Sequence, residues 1–145
     1  TDPGNLGALL RSAECAGVTG VILPRHRATH VTPTVTKAAA GAIEHLPMSV
    51  VGGLPSALLQ LRDRAVPVIG LDGNGERSLF DLDVAVVGPV CLVLGAEGRG
   101  LSRLVRQRCD ELVAIPLLGH LASLNVAAAG ALACYEVARR RSMPR

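Results

Sequence analysis

The chain has 145 residues, 49% of them apolar, and a formal net charge of +3. That is the length of one domain, large enough to bury a core and too apolar for a disordered chain. No apolar run approaches the ~20 residues of a membrane-spanning helix, and the start, Thr1-Asp2-Pro3-Gly4-Asn5, reads as a turn into a helix rather than a signal peptide. Of the 15 basic residues only Lys37 is a lysine. Arginine suits paired hydrogen bonds to phosphate, but a coding bias toward Arg, Ala, Gly and Val explains the composition equally well. Phe80 and Tyr135 are the only aromatic residues, which excludes a base-stacking platform. Cys15, Cys91, Cys109 and Cys134 form no C-x-x-C pair, so a zinc ribbon is excluded and a reducing, cytoplasmic setting is expected. Cys91 and Cys134 read as small core residues.

In chain order, Asp2 can cap a helix with Pro3 in its first turn. Leu6, Leu9, Leu10, Ala13 and Ala16 form its apolar stripe, and Gly17 ends it. Residues 18–23 read as a buried strand and 24–32 as a loop carrying Arg25, His26, Arg27 and His30. A second helix runs from Thr32-Pro33 to about Ala40. Met48 to Val51 is a strand, and 54–64 a helix with Leu54, Leu58, Leu59 and Leu61 inward. Residues 66–71 form a strand ending in Asp72-Gly73. The apolar run 90–94 reads as a strand buried on both faces. Ser102 caps a short helix with Leu104 and Val105 inward. Residues 112–115 form the last strand, and about 123–141 the last helix. Strands alternating with helices predict an α/β fold, a mostly parallel sheet flanked by helices.

The Gly-rich stretch Gly95-Ala96-Glu97-Gly98-Arg99-Gly100-Leu101-Ser102 follows a strand and precedes a helix, the setting of a nucleotide site. It is not a P-loop, because Leu101 stands where the phosphate-binding lysine belongs. Nor is it G-x-G-x-x-G, since the order is G-x-x-G-x-G. Taken alone, it is a tight strand-to-helix turn.

Three stretches together say more. Asp2-Pro3-x-Asn5-x-Gly7-Ala8-x-x-Arg11-Ser12-Ala13-x-x-Ala16-Gly17-Val18 resembles motif 1 of the SpoU (TrmH) branch of the SPOUT RNA methyltransferases. Leu94-Gly95-Ala96-Glu97-Gly98-x-Gly100-Leu101 resembles motif 2. Ile115-Pro116-Leu117 with Ser123-Leu124-Asn125-Val126 and Ala129-Gly130 resembles motif 3. Order and spacing match over nearly the whole chain. Val31-Thr32-Pro33, Gly41-Ala42-x-Glu44-His45-x-Pro47, Gly70-Leu71-Asp72-Gly73 and Cys109-Asp110-Glu111-Leu112 are most similar to the members that methylate a guanosine 2′-hydroxyl in 23S ribosomal RNA.

The resemblance implies a SPOUT-type fold with a C-terminal deep trefoil knot, a homodimer, and S-adenosylmethionine (AdoMet) as cofactor. It implies a single catalytic domain over residues 1–145. The family's strand before Asp-Pro and the N-terminal RNA-recognition domain are expected to be absent from this chain. Leu94, Gly95, Gly98, Ile115, Leu117 and Leu124 would line the cofactor pocket, and the apolar walls suit adenine.

Arg11, Asn5, Glu97, Ser123 and Asn125 are the candidate catalytic residues. An arginine is a poor base because it stays charged; Arg11 is better suited to stabilising a developing alkoxide or gripping the adjacent phosphate. Asn5 would position the first loop or the ribose, or merely start its helix. Glu97 would hold the arginine or the ribose, or cap the following helix. Ser123 and Asn125 divide between capping the last helix and facing the pocket. Arg25, Arg27, Lys37 and Arg99 are candidate RNA contacts, as are Arg103 and Arg106, with a solvated face as the alternative. His26 and His30 have metal-like spacing but no partner ligands, so no metal site is expected. The expected reaction is 2′-O-methylation of ribosomal RNA. Transfer RNA is the alternative substrate. Ala122 and Ala127, where the family pattern is polar, keep open a non-catalytic RNA-binding or ribosome-assembly factor.

Overall fold

The computed structural model describes residues 3–28, 31–83, 88–95 and 100–142. In chain order these form α1 (Pro3–Cys15), β1 (Val21–Pro24), α2 (Arg25–Ala28), α3 (Pro33–Ala38), α4 (Ala42–His45), β2 (Met48–Val51) and α5 (Leu54–Asp63). There follow β3 (Val68–Leu71), β4 (Arg77–Ser78), a 3-10 turn (Leu79–Asp81), β5 (Cys91–Val93), α6 (Arg103–Arg108), β6 (Glu111–Ala114) and α7 (Val126–Ser142). Every strand pair among the described residues is parallel. The strands form two sheets rather than one: β1-β2, and a four-stranded sheet in the order β4-β6-β3-β5.

Several elements are shorter than the sequence suggests, for one physical reason. The first residues of two expected strands are used to close the helix before them. Val18 donates its N–H to the Ala13 carbonyl at 3.0 Å, around Gly17 at φ +87°, so β1 starts only at Val21. Val66 likewise donates to Leu61 at 2.9 Å, beside Ala65 at φ +58°, so β3 starts at Val68. The segment expected as a loop after β1 instead winds one helical turn, α2. β5 is an edge strand of its sheet; Cys91 and Leu92 are only half-buried, not covered on both faces. Leu59 and Leu104 are exposed, contrary to expectation. On α5 the inward arc is taken by Ala57 and Leu58 and on α6 by Val105, and a turn of about 100° per residue carries the next position away from the core.

The core has three parts. Leu10, Ala13, Val35, Ala39, Ala42 and Leu46 hold α1 against α3 and α4. Ile69, Leu79, Leu82, Val113, Ala133 and Val137 seat α7 on the sheet. Leu58, Val68, Val93, Leu101 and Val105 bring α5 and α6 onto β3 and β5. Polar links fix the register: Val68 donates to an Asp110 carboxylate oxygen at 2.7 Å, and Asp110 donates its own N–H to the Val68 carbonyl at 2.8 Å.

The C-terminal turns of α7 are held by charge. Glu136 is 7% exposed and accepts from Arg139 Nη2 at 2.6 Å and Arg140 Nε at 3.0 Å. Arg140 also donates to the Phe80 carbonyl, and Arg141 Nη2 donates to the Gly88 carbonyl at 2.5 Å. The Arg139 hydrogen bond, aided by Arg140, outweighs burial and lowers the Glu136 pKa below its ordinary value. A lowered folded pKa stabilises the fold above the unfolded value of 4.5, and that contribution is lost as pH falls through the folded value. Glu136→Gln is therefore expected to have a lower denaturant midpoint than the parent at neutral pH. It should also lose less stability between about pH 5 and 3 than the parent does. Urea titrations of both chains across that range check this.

Candidate active site

Because the four-stranded sheet is wholly parallel, the chain leaves β3, β5 and β6 at one edge, where open α/β sheets place ligands. From β5 come Leu94 and Gly95. A Cβ on Gly95 would overlap the Gly100 backbone, so only glycine at 95 allows that close approach. From β6 comes an irregular stretch, 115–125. Ile115 is half-buried against the core of α7. Leu117 and Leu124 are exposed, and Leu118 and Leu121 are 96% and 82% exposed. From β3 comes Asp72, whose carboxylate accepts from the Asn74 N–H at 2.8 Å and lies 3.8 Å from Arg106.

α1 and α7 close over this edge. A Cβ on Gly130 of α7 would overlap Leu9 Cδ1 and stand 2.9 Å from Leu94 Cδ1. Gly130 thus marks where the three motif stretches touch. At the start of α7, Asn125 caps the helix: its side-chain oxygen accepts from Ala127 N at 2.8 Å and Ala128 N at 3.2 Å. Its amide nitrogen donates to Asn5 Oδ1 at 2.8 Å. One residue therefore both starts α7 and ties it to α1. Ser123, the other expected cap, is exposed and lies outside the helix, which starts at Val126 rather than near 123.

Arg11 lies on α1 roughly 9 Å along the axis from Asn5. It is exposed and lines a cleft of about 280 Å³ with Glu14, Cys15, residues 39–42, Glu44 and His45. The sequence reading placed Arg11 but not this cleft. The Gly41-Ala42-x-Glu44-His45 stretch and the one-turn spacing of Arg11 and Glu14 were the available signals. Glu97, Gly98 and Arg99 lie outside the described residues, as does His30. Arg25 and Arg27 sit on α2 after β1, and Lys37 is exposed on α3. Arg106 is engaged by Asp72 rather than presented as a free cation.

Cys91, Cys109 and Cys134 are poorly suited to nucleophilic work. Burial, then the neighbouring Cys91, Asp110 and Asp72, pushes the Cys109 thiol up to about 11. Burial also raises the Cys91 and Cys134 thiols. Among the described residues no cluster of His, Cys, Asp or Glu could hold a metal, and no helix is long and apolar enough to cross a membrane.

Comparison with known proteins accounts for this arrangement. The family model described as the SpoU rRNA Methylase family matches residues 1–135. The chain belongs to the SpoU rRNA methylase family. Among its relatives, a 23S rRNA (guanosine-2′-O-)-methyltransferase RlmB from Ralstonia nicotianae is 45% identical over 99% of the chain and 57% of the relative. The RlmB of Pseudomonas putida is 41% identical over the whole chain and 58% of the relative. The SpoU methyltransferase AviRb from Streptomyces viridochromogenes, solved in complex with AdoMet, superposes with a TM-score of 0.87 at 33% identity. That match covers 97% of this chain and 57% of AviRb. The chain thus spans little more than half the length of the curated SpoU relatives it matches.

The two tasks of Asn125 in this SpoU chain can be separated. Asn125→Ala removes cap and bridge together and is expected to cost about 1–2 kcal/mol. Asn125→Asp keeps an acceptor for the two N–H groups but cannot donate to Asn5 as a carboxylate, so it should recover most of the cap. Thermal unfolding of the three chains checks the order parent, Asp, Ala.

Proposed function

We propose that this chain is the catalytic, AdoMet-binding part of an RNA ribose 2′-O-methyltransferase whose substrate is a guanosine of 23S ribosomal RNA. The observation that carries the proposal is the convergence of Asn5, Leu9, Leu94, Asn125 and Gly130, from all three motif stretches, at one place. The relatives named RlmB supply the substrate class, and AviRb the cofactor. The same reading includes the family's C-terminal trefoil knot, a homodimer, and work in the cytoplasm where ribosomal RNA is found. The leucines exposed along 115–125 support it, since so much uncovered apolar surface calls for a partner or ligand.

The residues present suit AdoMet. Leu94, Gly95, Gly98, Ile115, Leu117 and Leu124 would hold it, the leucines and isoleucine as apolar walls and the glycines by allowing close backbone approach. Bound there, AdoMet supplies a methyl group made electrophilic by its sulfonium. The chain's own task is to bring a 2′-hydroxyl in line and manage its charge. Arg11, always protonated, stabilises the oxygen as its proton passes to solvent water and holds the neighbouring phosphate. Asn5 is fixed by Asn125 and positions the ribose side of the pocket. Glu97 and Ser123 complete the proposed set, as acceptor and hydroxyl. Arg25, Arg27, Lys37 and Arg99 would meet the RNA backbone.

Methyl transfer from tritiated AdoMet to 23S rRNA and to tRNA, followed by nucleoside analysis, tests the proposal. Label in 2′-O-methylguanosine of the ribosomal RNA is expected. Arg11→Ala should lower the rate by about 100-fold or more. Arg11→Lys should also fall well below the parent, because lysine lacks the planar fork. Label only in tRNA, or none in ribose, would overturn the proposal.

A further inference from the structure

We infer that the cleft beside Arg11 is the subsite for the target base, and that Glu44 selects guanine there. The inference rests on the reading above and extends it to a residue with no role in it so far. The cleft has two charged walls. Arg11 and Glu14 stand on α1, and Glu44 and His45 on α4. Among the described residues, Arg11, Glu14 and Glu44 enter no ion pair, although cation and carboxylates share one cleft. Their hydrogen-bonding capacity is left for a ligand.

The floor between the walls is 39–42, Ala-Ala-Gly-Ala, which presents backbone and methyl groups rather than long side chains. Ala40 is held there at φ +52° and Gly41 at φ +86°. An alanine disfavours the left-handed region, and such a conformation persists where the surrounding structure imposes it. At about 280 Å³ the space lies just below the range for drug-sized ligands, roughly 300–1,000 Å³. It suits a flat base better than a large molecule. No Phe, Tyr or Trp lines it, and stacking on His45 or Arg11 would not tell one base from another, so the choice of base falls to the edge.

The edge chemistry selects guanine. Its N1–H and N2–H donors lie side by side and match the two acceptor oxygens of one carboxylate. Adenine and cytosine each present an amino donor beside a ring acceptor, and uracil a single N–H between two carbonyls, so none offers two adjacent donors to one carboxylate. Glu44 is the better-placed carboxylate because it lies across from Arg11. A nucleotide can then set its phosphate or ribose against Arg11 and its base edge against α4. Glu14, one turn from Arg11 on the same helix, is not required for base choice.

Equilibrium titration of the folded chain with GMP, IMP and AMP, followed by NMR shifts of the residues lining the cleft, tests this without requiring methyl transfer. GMP should bind roughly ten- to a hundredfold more tightly than AMP. IMP, which lacks the N2 donor, should fall between them. Glu44→Gln should erase the preference or turn it toward AMP, because a carboxamide matches the adenine edge. Glu44→Asp should keep part of it, and Glu14→Gln all of it. AdoMet affinity should be the same in all of these chains. No GMP binding, equal GMP and AMP affinity in the parent, or an unchanged preference in Glu44→Gln would overturn the inference. A parent that prefers GMP yet methylates no RNA would instead overturn the proposed function and leave the subsite standing.

Discussion

The close approach of α7 to α1 at Gly130 is the constraint on which the candidate site depends. Leu9 and Leu94 occupy the space a side chain at 130 would need. A larger residue there would push the last helix away from both the first helix and the end of β5. The Asn125–Asn5 hydrogen bond sits one turn nearer the start of α7 and fixes its direction, while packing at Gly130 fixes its depth. Neither contact is local: Asn5 and Asn125 are 120 residues apart in sequence. The site therefore exists only when both ends of the chain are in place.

The rest of the fold supplies a rigid base for that contact. Parallel pairing sends the segments after β3, β5 and β6 to one edge. The fully buried Val68, Leu79 and Val113 anchor the strands and the 3-10 turn beneath α7. At the far end of α7, Glu136 aligns Arg139 and Arg140, and Arg140 and Arg141 grip the carbonyls of Phe80 and Gly88. The helix is thus held at its start by amide hydrogen bonds, in the middle by close packing, and at its end by charge. Other residues are left outside the core. Arg11 and Glu44 are exposed at a cleft, and the leucines of 115–125 are largely uncovered.

Much of this could be read in the sequence, wherever the cause is local. Thr32 and Ser102 each accept from the N–H three residues on, so the starts of α3 and α6 were visible from residue type and spacing. Apolar runs located β2, β3, β5 and β6, and the three motif stretches located Asn5, Arg11, Leu94 and Asn125. What the sequence hid depends on distant partners. The split into two sheets follows from hydrogen-bond pairing that no single strand encodes. Leu59 and Leu104 look like core residues until the fold fixes the inward arc of each helix at Ala57 and Leu58 and at Val105. Asn125, not Ser123, caps α7 because the helix begins at Val126. Arg106 looked free for RNA until the fold brought Asp72, whose side chain is 8% exposed, within ion-pair distance. The acidic wall across from Arg11 was hidden for the same reason, since α4 meets α1 only in the folded chain.

Whether the three converging stretches build one AdoMet pocket is decided by calorimetric titration of AdoMet into the folded chain, with Leu124→Asp in parallel. Leu124 is exposed, so its replacement leaves the core intact. Binding close to one AdoMet per chain is expected, weakened about tenfold or more by a carboxylate in an apolar wall. A folded chain that takes up no AdoMet, or binds it equally well with aspartate at 124, has no such pocket.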